Sequence, residues 1–113
     1  MRIIVEMIPH EQQRYDTEGD WQSFGDDLLI TVSEKPDLRK CVAIAIHEIV
    51  EAVLCSQAGI TQEQVDAWDM SHLDVKEPGD LPDAPYNRQH CVASIIEDLL
   101  TLELHGQNVL LRK

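Results

Sequence analysis

Apolar residues crowd the start of the chain, thin out, return near position 30 and then dominate a long stretch from position 38. Residues 2–8, RIIVEMI, are β-branched and apolar, and Pro9 ends them, which predicts a strand. Residues 10–26 are polar and contain Gly19 and Gly25, so they read as loop or irregular strand. Residues 27–33 predict a second strand, which can pair with the first across the long connection.

The run LRKCVAIAIHEIVEAVLCSQA that follows is far too long for a strand, and its Ala, Leu and Glu favour helix. Asp37 is placed to cap it, or Pro36 to sit in its first turn, and Gly59 is placed to stop it. Apart from its ionisable groups this helix is apolar almost all round, which predicts a central position. Thr61-Gln62-Glu63-Gln64 has the form of a capping box and opens a second helix, with Val65, Trp68 and then His72 or Leu73 as its apolar stripe. Residues 74–85 hold three prolines and one glycine. They predict a stiffened loop able to hold a fixed shape over a site. A third helix is predicted from Tyr86 to His105, ending near Gly106. Its apolar positions, Val92, Ile95, Ile96, Leu99, Leu100 and Leu102, are expected to face the core. His90, Ser94, Glu97 and Thr101 form a polar stripe opposite. The expected fold is α+β and mostly helical, a single domain in which a two-stranded β element precedes three helices. Repeats, low-complexity tracts and interdomain linkers are not evident.

Composition narrows the choice of function. The chain has 113 residues with a hydrophobic fraction of 43%, enough to build one core without disulfides or a structural metal. A bound metal is therefore expected to serve chemistry rather than the fold. Charge breaks every apolar run well short of the ~18 residues of a membrane span. The N-terminal stretch lacks the apolar region and small-residue cleavage site of a signal peptide. The expected location is the cytoplasm. Cys41, Cys55 and Cys91 make an odd count without CxxC spacing and are expected to be small buried hydrophobes. Acidic residues number 21 against 9 basic ones, for a net charge of -12, which repels nucleic-acid phosphates and anionic lipids. It suits cations and basic partners. Between Cys41 and Val75 there is no Lys or Arg, yet the stretch holds Glu48, Glu51, Glu63, Asp66, Asp69 and Asp74. Any of these acids that is buried needs a cation from elsewhere.

The central helix contains His47-Glu48-Ile49-Val50-Glu51. Residues four apart lie ~40° apart around a helix and one turn along it, so His47 and Glu51 project side by side. Imidazole nitrogen and carboxylate oxygen suit zinc first, and also manganese, iron or nickel. Glu48 points ~100° from His47, on the flank of that face. In the HExxH helices of zinc proteases the Glu at this position polarises a metal-bound water, which makes Glu48 the candidate catalytic residue. The competing reading is structural. Glu51 would accept a hydrogen bond from Arg39, Arg88 or a Trp, and His47 would be a neutral core histidine bonded to a backbone carbonyl. For the third ligand His90 leads, because it begins the third helix beside the Pro-rich loop, where a ligand and an access route can coexist. Asp69 and Glu97 are weaker candidates. His72 is expected to flank the core or face water, and His10 and His105 to be peripheral.

A strand pair, a helix with HExx(H/E) and a later helix bringing a third ligand resemble a minimal zincin metallopeptidase core of the gluzincin kind. That resemblance makes His47 the first zinc ligand and Glu48 the general base. Glu51 stands where the second His usually is, and His90 or Glu97 is the ligand from the downstream helix. A carboxylate at Glu51 adds negative charge to the metal and makes its bound water less acidic. The chain also resembles small bacteriophage proteins that share an HExxE helix and a segment like EPGDLPDAPYNRQH (77–90), which implies a host-cytoplasm location and no particular activity. A fainter resemblance, Glu48 with Glu51 and Glu97 with Asp98, is to the all-α nucleotide pyrophosphohydrolases that hold magnesium on two helices. The leading expectation is a metal-dependent hydrolase of a small or peptide substrate, with a divalent metal, zinc first, on His47, Glu51 and His90. The alternative is a non-enzymatic acidic interaction protein that mimics DNA or binds a basic partner. Exposed apolar positions on helices 2 and 3 are compatible with a homodimer.

Overall fold

The computed structural model describes residues 1–105; the helix stop expected at Gly106 lies outside the described residues. Three strands, β1 (Ile3–Ile8), β2 (Gly19–Phe24) and β3 (Asp27–Ser33), form one sheet in the order β1-β3-β2. β3 is central. It runs parallel to β1, with Ile3 opposite Leu28, and antiparallel to β2, with Trp21 opposite Ile30. The sheet thus has one strand more than the sequence pattern suggested, and that strand comes from the stretch read as loop or irregular strand. The polar sequence GDWQSF hides it, because Asp20 is buried in the sheet and held there by two bonds from Arg14, at 2.7 and 2.9 Å. Gly25 and Asp26 turn β2 into β3. Gly25 has φ 57°, a value that suits glycine at a two-residue hairpin turn.

Helix α1 (Leu38–Gln57) lies across this sheet. Asp37 caps it by accepting from the Arg39 N–H, and Gly59, with φ 76°, reverses the chain beyond its end. Leu28, Ile30 and Val32 of β3 and Trp21 of β2 meet Cys41, Ala45, Ala52 and Cys55 of α1. The small helix residues let the backbone approach the sheet closely, and Val65, Ala84 and Tyr86 close the far end of this core. Helix α2 (Gln62–Met70) begins with the expected capping box: the Gln64 N–H donates to Thr61 Oγ1, and the Thr61 N–H donates to the Gln64 side chain. The Pro-rich segment contains a short 3₁₀ turn, Pro78–Asp80, before helix α3 (Asn87–Leu104). Pairs between His47 and Glu97, Glu51 and His90, and Arg39 and the Leu104 carbonyl show that α3 runs antiparallel to α1.

Three expectations are corrected here. Helix α3 turns its polar stripe, not its apolar one, toward the rest of the protein. His90 and Ala93 are buried and Ser94, Glu97 and Thr101 half-buried, whereas Ile95 is 60% and Leu99 54% exposed, with Ile96 and Leu102 also exposed. The physical reason is the facing surface of α1, where His47 and Glu51 offer polar partners that outweigh apolar contact. Cys91, on the same outward side, is exposed, while Cys41 and Cys55 are buried as expected. Helix α2 ends before His72 and Leu73, so neither extends its stripe; the His72 ring stacks on Trp68 and Leu73 is exposed. Among the described residues no helix is long and apolar enough to cross a membrane.

Candidate metal centre

His47 and Glu51 sit on the same side of α1, one turn apart, and both are buried, as is His90 at the start of α3. Their ligand atoms converge. Glu51 Oε2 lies 3.2 Å from His47 Nε2 and 2.8 Å from His90 Nδ1. One ligand atom from each of the three residues falls within 4.8 Å of the other two. Around a tetrahedral ion with bonds near 2.0 Å, ligand atoms stand about 3.3 Å apart, so the observed spacing is that of a site a divalent ion can enter with small adjustments. The two rings meet edge to face, with centroids 4.9 Å apart.

The surroundings add to this. The outer nitrogen of each imidazole faces a carboxylate: His47 Nδ1 lies 2.9 Å from Glu97 Oε1, and His90 Nε2 lies 3.0 Å from Asp80 Oδ1. Neither contact is aligned as a hydrogen bond, so both buried nitrogens lack a partner in that sense. Carboxylates behind the outer nitrogens are the usual way in which metal-bound histidines are oriented. Glu51 Oε1, the oxygen turned away from the histidines, accepts from Trp21 Nε1 at 3.1 Å. The structural reading of Glu51 named a Trp as one donor, and Trp21 is that donor. Arg39 is instead engaged by Asp37 and the Leu104 carbonyl.

In the protein without an ion, two histidines and Glu51 share protons. Burial acts to lower the His47 pKa, but Glu51, Glu97 and Glu48 outweigh it and raise the value to about 10. Burial likewise acts to raise Glu51, and the bonds from His47 and His90 bring it down to about 2. His90 is raised because Glu51 outweighs its burial. The cluster is thus charged, and a divalent cation can take the place of the protons.

Glu48 occupies the flank of the same helix face. It is 9% exposed, its Oε2 is 3.8 Å from His47 Nε2, and among the described residues it has no hydrogen-bond partner. Burial first, and then the charge of Glu51, holds its pKa well above the ordinary carboxylate range. Two glycines make this packing possible. A Cβ on Gly19 would lie 2.9 Å from Glu48 Cγ, and one on Gly79 would lie 2.5 Å from His90 Cγ. β2 therefore packs closely on Glu48 and the 3₁₀ turn on His90. Glu48, His47, Glu51 and His90 all line a cleft of about 540 Å³ walled by β2, by Val65, Asp66 and Asp69 of α2, by the 74–79 segment and by Tyr86.

The other third-ligand candidates stand elsewhere. Asp69 accepts from the Tyr15 hydroxyl at 2.8 Å and from the Tyr86 hydroxyl; Glu97 lies behind His47 rather than among the converging atoms. His72 packs on Trp68, His10 pairs with Asp16, and His105 lies 3.6 Å from Asp37. The sequence reading missed Asp80, Tyr15 and Tyr86, and it named a Trp beside Glu51 without specifying Trp21. Asp80 was findable as the acid nearest the glycine of the Pro-rich segment. Trp21 and Tyr15 carry no local signal, because they reach the site through the sheet and the preceding loop. Comparison with protein-family models, with curated proteins and with solved structures returns no match.

Proposed function

We propose that this protein is a metal-dependent hydrolase, with a divalent ion, zinc first, held by His47, Glu51 and His90. The observation that carries the reading is the convergence of the three buried ligand atoms within 4.8 Å at the wall of a cleft. The carboxylates of Glu97 and Asp80 close to the outer imidazole nitrogens support it, because negative charge there raises ligand basicity. A divalent ion bound there supplies Lewis acidity, acidifying water and polarising a substrate carbonyl or phosphoryl group.

The remaining work falls to the chain. Glu48 stands beside His47 without a hydrogen-bond partner among the described residues, a position that suits a general base taking a proton from water and returning it to the leaving group. Trp21 fixes Glu51 through Oε1 and leaves Oε2 turned toward the histidines. Gly19 and Gly79 keep the backbone close, so the cleft wall adjoins the reacting centre.

The test begins with metal analysis of protein dialysed against zinc. One zinc per chain is expected in the wild type, with loss in His47→Ala and His90→Ala. Glu48→Gln is then expected to keep its zinc while losing about 10²–10⁴-fold in turnover of a peptide or ester library. Absence of stoichiometric metal in the wild type overturns the site, and full turnover by Glu48→Gln removes that residue from the chemistry.

A further inference from the structure

β1 is an edge strand: among the described residues its one sheet neighbour is β3. The Arg2 and Ile8 carbonyls accept from the Leu28 and Glu34 N–H groups, on the β3 side. In a parallel ladder the N–H and C=O of one residue point the same way, and the direction alternates from residue to residue. The main-chain groups of Ile3, Val5 and Met7 therefore point out of the sheet. An open row of this kind is a template for another extended strand.

The side chains of this strand are uncovered as well. The register sets Ile3, Val5 and Met7 beside Leu28, Ile30 and Val32, on the face that α1 covers. The β3 residues are buried there, yet Ile3, Val5 and Met7 are exposed. α1 sits toward the other edge, where Ile44 and Glu48 crowd Gly19 of β2. At ~100° per residue, Val42 and Val53 lie on roughly the opposite side of the helix from that pair. They occupy the flank toward β1, and both are exposed.

Charge decides the occupant. Acidic residues crowd the cleft that β2 walls, whereas the β1 edge carries one charge of each sign, Arg2 just before the strand and Glu6 within it. Arg2, Ile4 and Glu6 alternate onto the face opposite α1. A second copy of β1, laid antiparallel about a two-fold axis at Ile4, puts Arg2 across from the partner's Glu6 and Glu6 across from the partner's Arg2. The outward main-chain groups of Ile3 then meet those of the partner's Val5. Arg2 holds Asp27 through Nε and Nη2, which leaves Nη1 for the second carboxylate. Two-fold symmetry makes each favourable pair twice, and opposite charges directly across a ladder stabilise it.

We propose that two copies of this chain join edge to edge through β1, antiparallel about Ile4, so that two three-stranded sheets become one of six strands, with Val42 and Val53 of each copy on the flank facing the joint. The joint lies away from the metal centre and does not depend on the hydrolase reading.

Sedimentation velocity of the full chain, in zinc and in chelator, measures the association. A dimer is expected at about 100 μM, the range of a small interface. Glu6→Arg sets two arginines across from each other, and Arg2→Glu sets two glutamates. Each variant alone is expected to raise the dimer Kd about ten-fold or more. Mixed in equal amounts, the two variants regain both opposite-charge pairs and are expected to associate like the wild type. Val5→Pro removes an N–H that points away from β3, so it is expected to keep the fold and lose the dimer. Circular dichroism melts check that each variant is folded. A wild-type monomer at this concentration overturns the proposal. So does a dimer that keeps its Kd in Glu6→Arg and Arg2→Glu, and so does a mixture that associates no more tightly than its components. The dimer is expected with zinc and without it, so loss of the metal site leaves this result standing, and a monomer that binds zinc leaves the metal site standing.

Discussion

Gly79 shows how much of the centre depends on a single missing atom. Its Cβ would lie 2.5 Å from His90 Cγ and 2.7 Å from His90 Nδ1, so Gly79→Ala must push the imidazole or the turn away. The expected result is a folded protein whose zinc affinity falls about 10–100-fold, the range seen when support behind a metal ligand is disturbed. Competition with a chromogenic chelator measures it, and an unchanged affinity would show that the turn can yield without moving His90. Asp69 makes a second prediction, about pH. Burial lifts its carboxyl above the ordinary 3.8, against the opposing bonds from Tyr86 and Tyr15. A raised carboxyl means that the folded state binds more protons than the unfolded state between 3.8 and the raised value. Stability therefore falls as pH rises through that window and stays lower above it. Asp69→Asn removes this titration. Urea melts of wild type and variant are expected to show the wild-type advantage shrinking upward from pH 3.8; a pH-independent difference would contradict the assignment.

At the scale of elements, α1 is placed by its ends as much as by its packing. The chain reverses after it at Gly59, whose φ of 76° has open space where a Cβ would go. Gly59→Ala should therefore cost only the backbone penalty of a left-handed alanine, about 1 kcal/mol. Thermal and urea unfolding check this, and zinc stoichiometry should be unchanged. The α1–α3 pair is less ordinary. It brings together the polar set His47, Glu51, His90 and Glu97. An acidic and histidine-rich contact between helices is weak as a hydrophobic interface, and its polar groups answer one another across it. It explains why α3 is oriented with Ile95 and Leu99 outward.

For the molecule as a whole, the centre joins elements distant in sequence: Trp21 of β2, His47 and Glu51 of α1, Asp80 of the 3₁₀ turn and His90 of α3. An ion bound there ties α3 and the Pro-rich segment to α1, so binding is coupled to global stability. At a free zinc concentration a hundred-fold above Kd the linkage contributes about 2.7 kcal/mol. For a domain of this size that raises Tm by roughly 10 °C. Differential scanning fluorimetry in zinc and in chelator measures the shift, and His90→Ala is expected to abolish it. A wild-type Tm indifferent to zinc would mean that the ion does not bridge the helices.

The order of the helices, the Asp37 and Gly59 boundaries of α1, the Thr61 capping box and the side-by-side projection of His47 and Glu51 were legible in the residues. Each is set within about one turn of chain, by local hydrogen bonds or by the helical period. Strand β2 was not legible, because Asp20 looks like a loop residue until Arg14 is seen to neutralise it inside the sheet. Nor was the facing of α3 legible: an apolar stripe turns inward by default, and only the polar surface of α1 opposite reverses that preference. His90 was nameable as a partner for Glu51, but its 2.8 Å approach depends on contacts across 39 residues of chain. Local interactions fix which elements form. Which faces meet, and hence whether three dispersed side chains become one cluster, is decided by long-range contacts that no short window of sequence contains.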